Sequence, residues 1–165
     1  MMAISAQFRG AWRDGWHVVP HQVLFRDLDA FGHVNNATFF TYYEWGRAQL
    51  WWELTGTSRP ADIGFIVAHA QCDFRLQLGL EPIEIATRVG ALGNTSIEFL
   101  CEIRKHNGDV AASGKVVVVL YDWARQSKRA VGDELRRKVA EHAAGKSADA
   151  SRPGAAAVPG DRRAP

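Results

Sequence analysis

The sequence predicts an α+β domain in which an antiparallel five-stranded sheet wraps around one long helix. Three observations lead there. Residues Asn36–Thr55 place apolar side chains at helical spacing and carry helix signals at both ends. Four segments downstream of them alternate apolar and polar residues or run β-branched. The connections between the last three of those segments are so short that the strands can only turn back on one another.

The first strand is predicted from about His17 to Arg26, with Pro20 marking an edge or a bulge. The helix follows. Asn35 or Asn36 caps it and Gly56 is placed to end it. Phe39, Phe40, Tyr43, Leu50 and Leu54 recur at helical spacing, while Tyr42, Trp45, Trp51 and Trp52 spread apolar surface round the cylinder. A helix so apolar on most sides needs a sheet on one side and further cover on another. The second strand, Phe65 to Leu76, sets Ile66, Ala68, Ala70, Cys72, Phe74 and Leu76 against His69, Gln71, Asp73, Arg75 and Gln77. The third, Ile83 to Leu92, and the fourth, Thr95 to Lys105, alternate in the same way, and the fifth, Val110 to Trp123, contains the run Val116–Val119. Gly93-Asn94 and His106-Asn107-Gly108-Asp109 are the two turns of this meander. A weaker helix is predicted from about Asp133 to Ala143.

The domain is expected to span residues 1–143. The remaining 144–165 are rich in Ala, Gly, Pro, Ser and Arg and nearly devoid of large apolar side chains, so they are expected to be a disordered tail. That tail carries Lys146, Arg152, Arg162 and Arg163 against Asp149 and Asp161, which accounts for the whole net charge of +2. The rest of the chain is balanced, which argues against nucleic acid or an anionic membrane as a partner. No apolar run approaches the roughly 20 residues of a membrane helix. Met1–Trp12 lacks the layout of a secretion signal, so a cytoplasmic protein is expected. Cys72 and Cys101 lack CxxC spacing and read as buried small hydrophobes. The histidines do not cluster at metal spacing, and neither a metal nor a cofactor is called for.

Chemistry concentrates between the first strand and the helix, where two carboxylates, a Gly, a His and two Asn crowd one short segment. Part of this is explained by a capping turn. The rest suits acyl chemistry. A helix N-terminus offers free N–H groups to a developing oxyanion. A carboxylate beside it acts as base or nucleophile. Asp29 stands seven residues before Asn36, and Gly32 permits the bend that would fold it back over the first helical turn.

The residues Asp27-Leu28-Asp29-Ala30-Phe31-Gly32-His33-Val34-Asn35-Asn36, with Tyr42-Tyr43-Glu44 and Arg47, resemble the signature of hot-dog fold thioesterases of the 4-hydroxybenzoyl-CoA thioesterase type, a group that includes many acyl-CoA thioesterases. The His-Val-Asn-Asn element is also similar to that of acyl-acyl-carrier-protein thioesterases. The element order resembles the family from about Trp16 to Trp123. The resemblance implies that Asp29 is the catalytic carboxylate and that the backbone N–H at Asn36 or a neighbour polarises the thioester carbonyl. It implies an active site between subunits, with a homodimer or homotetramer as the assembly. His33 orients water or the carbonyl, or packs the loop. A related hot-dog group carries its carboxylate on the central helix, which makes Glu44 the second catalytic candidate; otherwise it is a buried, hydrogen-bonded support for the loop or a pocket-wall residue. Phe31, Asn35, Phe39, Tyr43, Phe65 and Ile66 are the expected substrate-binding residues, with Phe39, Phe40 and Tyr43 core as well. Arg47 pairs with a carboxylate or is exposed.

One departure bears on the carrier. The turn Gly90–Ser96 holds no Lys or Arg, whereas relatives grip nucleotide phosphates near this hairpin. Arg75, Arg88, Lys115 or Arg125 would have to serve. The expected activity is hydrolysis of an acyl- or aryl-CoA. The rivals are an acyl-carrier-protein thioesterase and a non-catalytic module that binds acyl thioesters.

Overall fold

The structure is a computed structural model and describes residues 10–57 and 63–145. The elements, in chain order, are β1 (Ala11–Arg13), β2 (Trp16–Gln22), a 3-10 turn (Phe25–Asp27), α1 (Asn36–Thr55), β3 (Phe65–Phe74), β4 (Pro82–Leu92), β5 (Ser96–Lys105), β6 (Val110–Asp122), β7 (Ser127–Lys128) and α2 (Asp133–Gly145). The strands form one antiparallel sheet in the order β1-β2-β4-β5-β6-β3, with β7 paired to β6. The long helix lies against this sheet and touches β2, β3, β4 and β5, which is the hot-dog arrangement. The tail expected at 144–165 falls, from residue 146 on, outside the described residues.

Helix α1 has the predicted limits. The Asn35 side chain accepts from the Ala37 N–H, and Gly56 stands in the left-handed conformation at the other end. Losing that first bond in an Asn35→Ala variant is expected to cost about 1 kcal/mol, read as a lower midpoint in thermal unfolding. The helix buries Phe39, Tyr42, Tyr43, Leu50, Trp51 and Leu54 against Ile83, Ile85, Ile97, Phe99, Ile103, Val116, Val118 and Leu120 of the sheet. Each such side chain contributes roughly 1.5–3 kcal/mol by leaving water.

The strand β5 alternates buried and half-buried residues along nearly its whole length, as its period-two pattern requires. The meander β4-β5-β6 forms through the two predicted turns. Four expectations are corrected. The first strand stops at Gln22, because Asp27 caps a 3-10 turn there: its carboxylate accepts from the Leu24 N–H at 2.9 Å. Two short strands, β1 and β7, extend the five predicted to seven. Phe40 is not core: it is partly exposed, its ring edge-on to that of the buried Tyr43. Arg47 is not exposed, nor is it in a carboxylate pair among the described residues. It is buried, and its guanidinium lies 5.7 Å from the Phe65 ring centroid.

The largest departure concerns β3. It pairs with β6 alone, at the far edge of the sheet from β2. Nearly all its residues are exposed, so its period-two pattern does not translate into one buried face. A bulge between Val67 and His69 shifts the register as well. Before the bulge Phe65 and Val67 stand opposite the buried Leu120 and Val118; after it Ala70 and Phe74 stand opposite the buried Val116 and Ala112. Ile66 therefore lies on the opposite face from Ala70, Cys72 and Phe74. No strand among the described residues pairs the outer edge of β3.

Candidate active site

The segment between the 3-10 turn and α1 folds as a miniature hairpin. Leu28 and Val34 form an antiparallel bridge. The Asp29 N–H donates to the His33 carbonyl at 2.8 Å, and the Gly32 N–H donates to the Asp29 carbonyl at 3.1 Å. Gly32 has φ 78°, the left-handed conformation that closes this tight loop at least cost in glycine. The Asp29 carboxylate joins in: its Oδ1 accepts from the Phe31 N–H at 2.8 Å and from the His33 N–H at 3.3 Å. Asp29 thus closes its own loop through one carboxylate oxygen. Both bonds engage Oδ1, so Oδ2 is the oxygen left to address a substrate or a water.

Asp27, by contrast, is a strut. Its Oδ2 also accepts from the Tyr42 hydroxyl at 2.9 Å, and its carbonyl accepts from the Asn35 N–H at 2.9 Å. Burial and the adjacent Asp27 carboxylate both hold the Tyr42 phenol protonated, as a donor must be. These bonds tie the loop to the helix start. In the first helical turn the N–H of Ala37 goes to the Asn35 side chain and that of Thr38 to the Asn35 carbonyl. The Asn36 N–H has no acceptor among the described residues.

A cavity of about 550 Å³ opens at this point. Asp29, His33 and Asn36 form its polar end. Phe31, Val34, Phe39, Phe74, Leu76 and Leu78 form its apolar wall, and Arg75 and Gln77 complete the lining. The cavity therefore gathers five of the residues singled out in the sequence: Asp29, His33, Asn36, Phe31 and Phe39. The others lie elsewhere. Asn35 works as the cap. Tyr43 is fully buried, its hydroxyl 3.3 Å from Cys72 Sγ. Phe65 packs edge-on against Trp51 in the core. Ile66 is on the outer face of β3, and Glu44 is exposed on α1.

Apart from Arg75, considered for the carrier, the sequence did not mark the segment Phe74–Leu78 as lining of the site. The Val34 N–H donates to the Leu78 carbonyl at 2.8 Å and so brings the chain after β3 back to the helix start. No local pattern encodes that return. Of the four cations considered for an anionic carrier, Arg75 alone lines the cavity, and its guanidinium donates to Ser113 Oγ at 3.0 Å. Arg88 stacks on Trp16, Lys115 pairs with Glu98 and Arg125 with Asp122. Both cysteines are free. Burial pushes the Cys101 thiol up to about 12 and raises that of Cys72. Among the described residues no helix is long and apolar enough to cross a membrane.

Residues 23–143 match the family model of the thioesterase-like superfamily. YsmA, an uncharacterized protein of Bacillus subtilis (strain 168), is 31% identical over 110 residues, which are 66% of this chain and 74% of YsmA. A thioesterase from Thermus thermophilus, solved in complex with coenzyme A and Zn, is 26% identical, with a TM-score of 0.71 over 78% of this chain and 94% of that one. The structure of a predicted thioesterase from Bacillus stearothermophilus, 24% identical, shares the fold with a TM-score of 0.72 over 77% of this chain and 96% of that one.

Proposed function

The chain belongs to the thioesterase-like superfamily, and we propose that it hydrolyses the thioester of an acyl- or aryl-CoA to the free acid and CoA. One observation carries this reading: a carboxylate anchored through a single oxygen and an uncommitted helix N-terminal N–H line the same half-apolar cavity. In the proposed reaction Asp29 Oδ2 takes a proton from water as the water oxygen attacks the thioester carbonyl carbon. The Asn36 N–H receives the oxyanion of the tetrahedral intermediate. As the carbonyl reforms, the C–S bond breaks and the proton held by Asp29 passes to the departing thiolate. His33, at the cavity's polar end, orients the water. Glu44 has no part in this scheme, because it is exposed outside the cavity.

The bound coenzyme A of the Thermus thermophilus relative supports CoA as the carrier. Arg75 is the cation placed to meet an anionic part of it. We place the activity in the cytoplasm and in a homodimer or a higher homo-oligomer. The open edge of β3, together with exposed Phe40, Ile66, Val67, Phe74 and Leu76, is apolar surface that a second copy would cover. Thiol release from a panel of short-, medium- and long-chain and aromatic acyl-CoAs tests the activity. Release from at least one is the expected result, and none from any would overturn the proposal. Light scattering that found a stable monomer at micromolar concentration would overturn the assembly.

A further inference from the structure

Tyr42 stands nearly two turns into α1, about 9 Å along the axis from Asn36. A helical side chain leans back toward the helix start, and this one reaches the loop that carries Asp29. Its ring is buried and set by its neighbours: His21 of β2 packs against it at 5.0 Å between centroids, and Phe39 of the cavity wall at 6.2 Å. Its hydroxyl donates to Asp27 Oδ2 at 2.9 Å, and the same oxygen accepts from the Leu24 N–H at 2.9 Å. Among the described residues no other side chain of α1 hydrogen-bonds to residues 24–34. From Asp27 the constraint runs two ways. Its carbonyl accepts from the Asn35 N–H at 2.9 Å, which fixes the residue before Asn36. Two residues on stands Asp29, held by the Leu28–Val34 bridge and by its own N–H to the His33 carbonyl. Those last two links lie within the hairpin, so they fix its shape but not its angle to α1.

We propose that Tyr42 is a positioning residue: acting through Asp27, its hydroxyl sets the angle between the loop and α1, and with it the distance between Asp29 Oδ2 and the Asn36 N–H. The proposal rests on the thioesterase reading and adds to it a residue outside the cavity lining, one that touches neither substrate nor water. The two groups it aligns must address a single thioester carbonyl, the carboxylate through the attacking water and the N–H at the oxyanion. A misplacement of about 1 Å in such an arrangement costs up to about 10²-fold in rate. The bond suits the task. A hydroxyl donating to a carboxylate is charge-assisted and stronger than a bond between neutral groups. Burial and the Asp27 carboxylate keep the Tyr42 phenol protonated, so the donor is present throughout the working range of pH.

Tyr42→Phe keeps the buried ring and removes only the bond. In the full-length protein its kcat for thiol release is expected to fall by roughly 10- to 10²-fold. Its affinity for a non-hydrolysable S-alkyl-CoA thioether is expected to stay at the wild-type value. Leu135→Ala truncates a partly buried contact of α2 at the far end of α1, so it lowers thermal stability and is expected to leave kcat unchanged. Tyr42→Phe combined with Asp27→Ala is expected to be no slower than Asp27→Ala alone, because the hydroxyl acts through that carboxylate. Should Asp27→Ala not fold, Tyr42→Phe and Leu135→Ala decide between them. Amide hydrogen exchange reads the positioning without turnover: in Tyr42→Phe the Asp29 and Asn35 N–H groups exchange faster, while those of β5 keep their wild-type rates. An unchanged kcat, an equal fall in Leu135→Ala, additive losses in the double variant, or unchanged exchange in the loop would each overturn the proposal. A wild-type protein that released no thiol from any acyl-CoA would sink the hydrolase reading, and exchange alone would then decide whether the hydroxyl holds the loop.

Discussion

Replacing Asp29 by Asn is expected to lower kcat for thiol release by about 10²–10⁴-fold, the range associated with a positioned general base. The substitution is chosen because it separates chemistry from architecture. Oδ1 of Asp29 holds the loop by accepting from the N–H groups of Phe31 and His33, and an Asn side chain keeps an acceptor oxygen there. What it loses is the second carboxylate oxygen and the charge that takes the proton from water. The midpoint of thermal unfolding is therefore expected to stay near the wild-type value while turnover collapses. Equal turnover in the two proteins would remove Asp29 from the mechanism and turn attention to Glu44. A variant that lost both turnover and thermal stability would mark Asp29 as a turn residue first.

Gly114→Ala is expected to destabilise the fold by about 3 kcal/mol, the upper end of the usual cost of overpacking. Gly114 lies in β6, paired on one side with Cys101 of β5 and on the other with Cys72 of β3. A Cβ there would collide with the Gln71 carbonyl oxygen and sit 3.0 Å from the Gln71 carbonyl carbon and 3.1 Å from the Cys72 Cα. All three are backbone atoms, so no side chain can rotate away and β3 itself must shift. The same strand carries Phe74 of the cavity and leads directly into Arg75, Leu76 and Leu78. Loss of stability is thus expected together with loss of thiol release. A denaturant titration with an unchanged midpoint would refute the close-approach argument.

Both predictions concern residues whose importance the sequence revealed unequally. Asp29 stood out because a carboxylate, a turn-forming Gly and a helix cap fell within a few residues, and local chain geometry brings such neighbours together. Gly114 gave no signal: a glycine beside a β-branched run reads as a weak point in a strand, and its reason is the backbone of a distant strand. The same division runs through the cavity. Asp29, Phe31, His33, Asn36 and Phe39 come from one contiguous segment and were legible. Phe74, Arg75, Leu76 and Leu78 arrive from across the sheet and were not recognised as lining, although Arg75 was among the cations considered for the carrier.

By itself the sequence determined the elements whose causes are local. Asn35 and Gly56 set the ends of α1, the alternation of β5 set its buried face, and the turns at Gly93-Asn94 and His106–Asp109 set the meander. Period and capping act over a few residues, so they can be read from a few residues. Only the tertiary structure decided what depends on where elements land. It sent β3 to the far edge of the sheet, inserted the bulge that turned Ile66 away from Ala70, Cys72 and Phe74, buried Arg47 against Phe65 and left Phe40 in the open. A strand's alternation specifies which residues share a face but not whether anything covers that face. Cover is a property of the neighbours, and the neighbours of β3 and of the outer face of α1 are chosen by the packing of the whole chain.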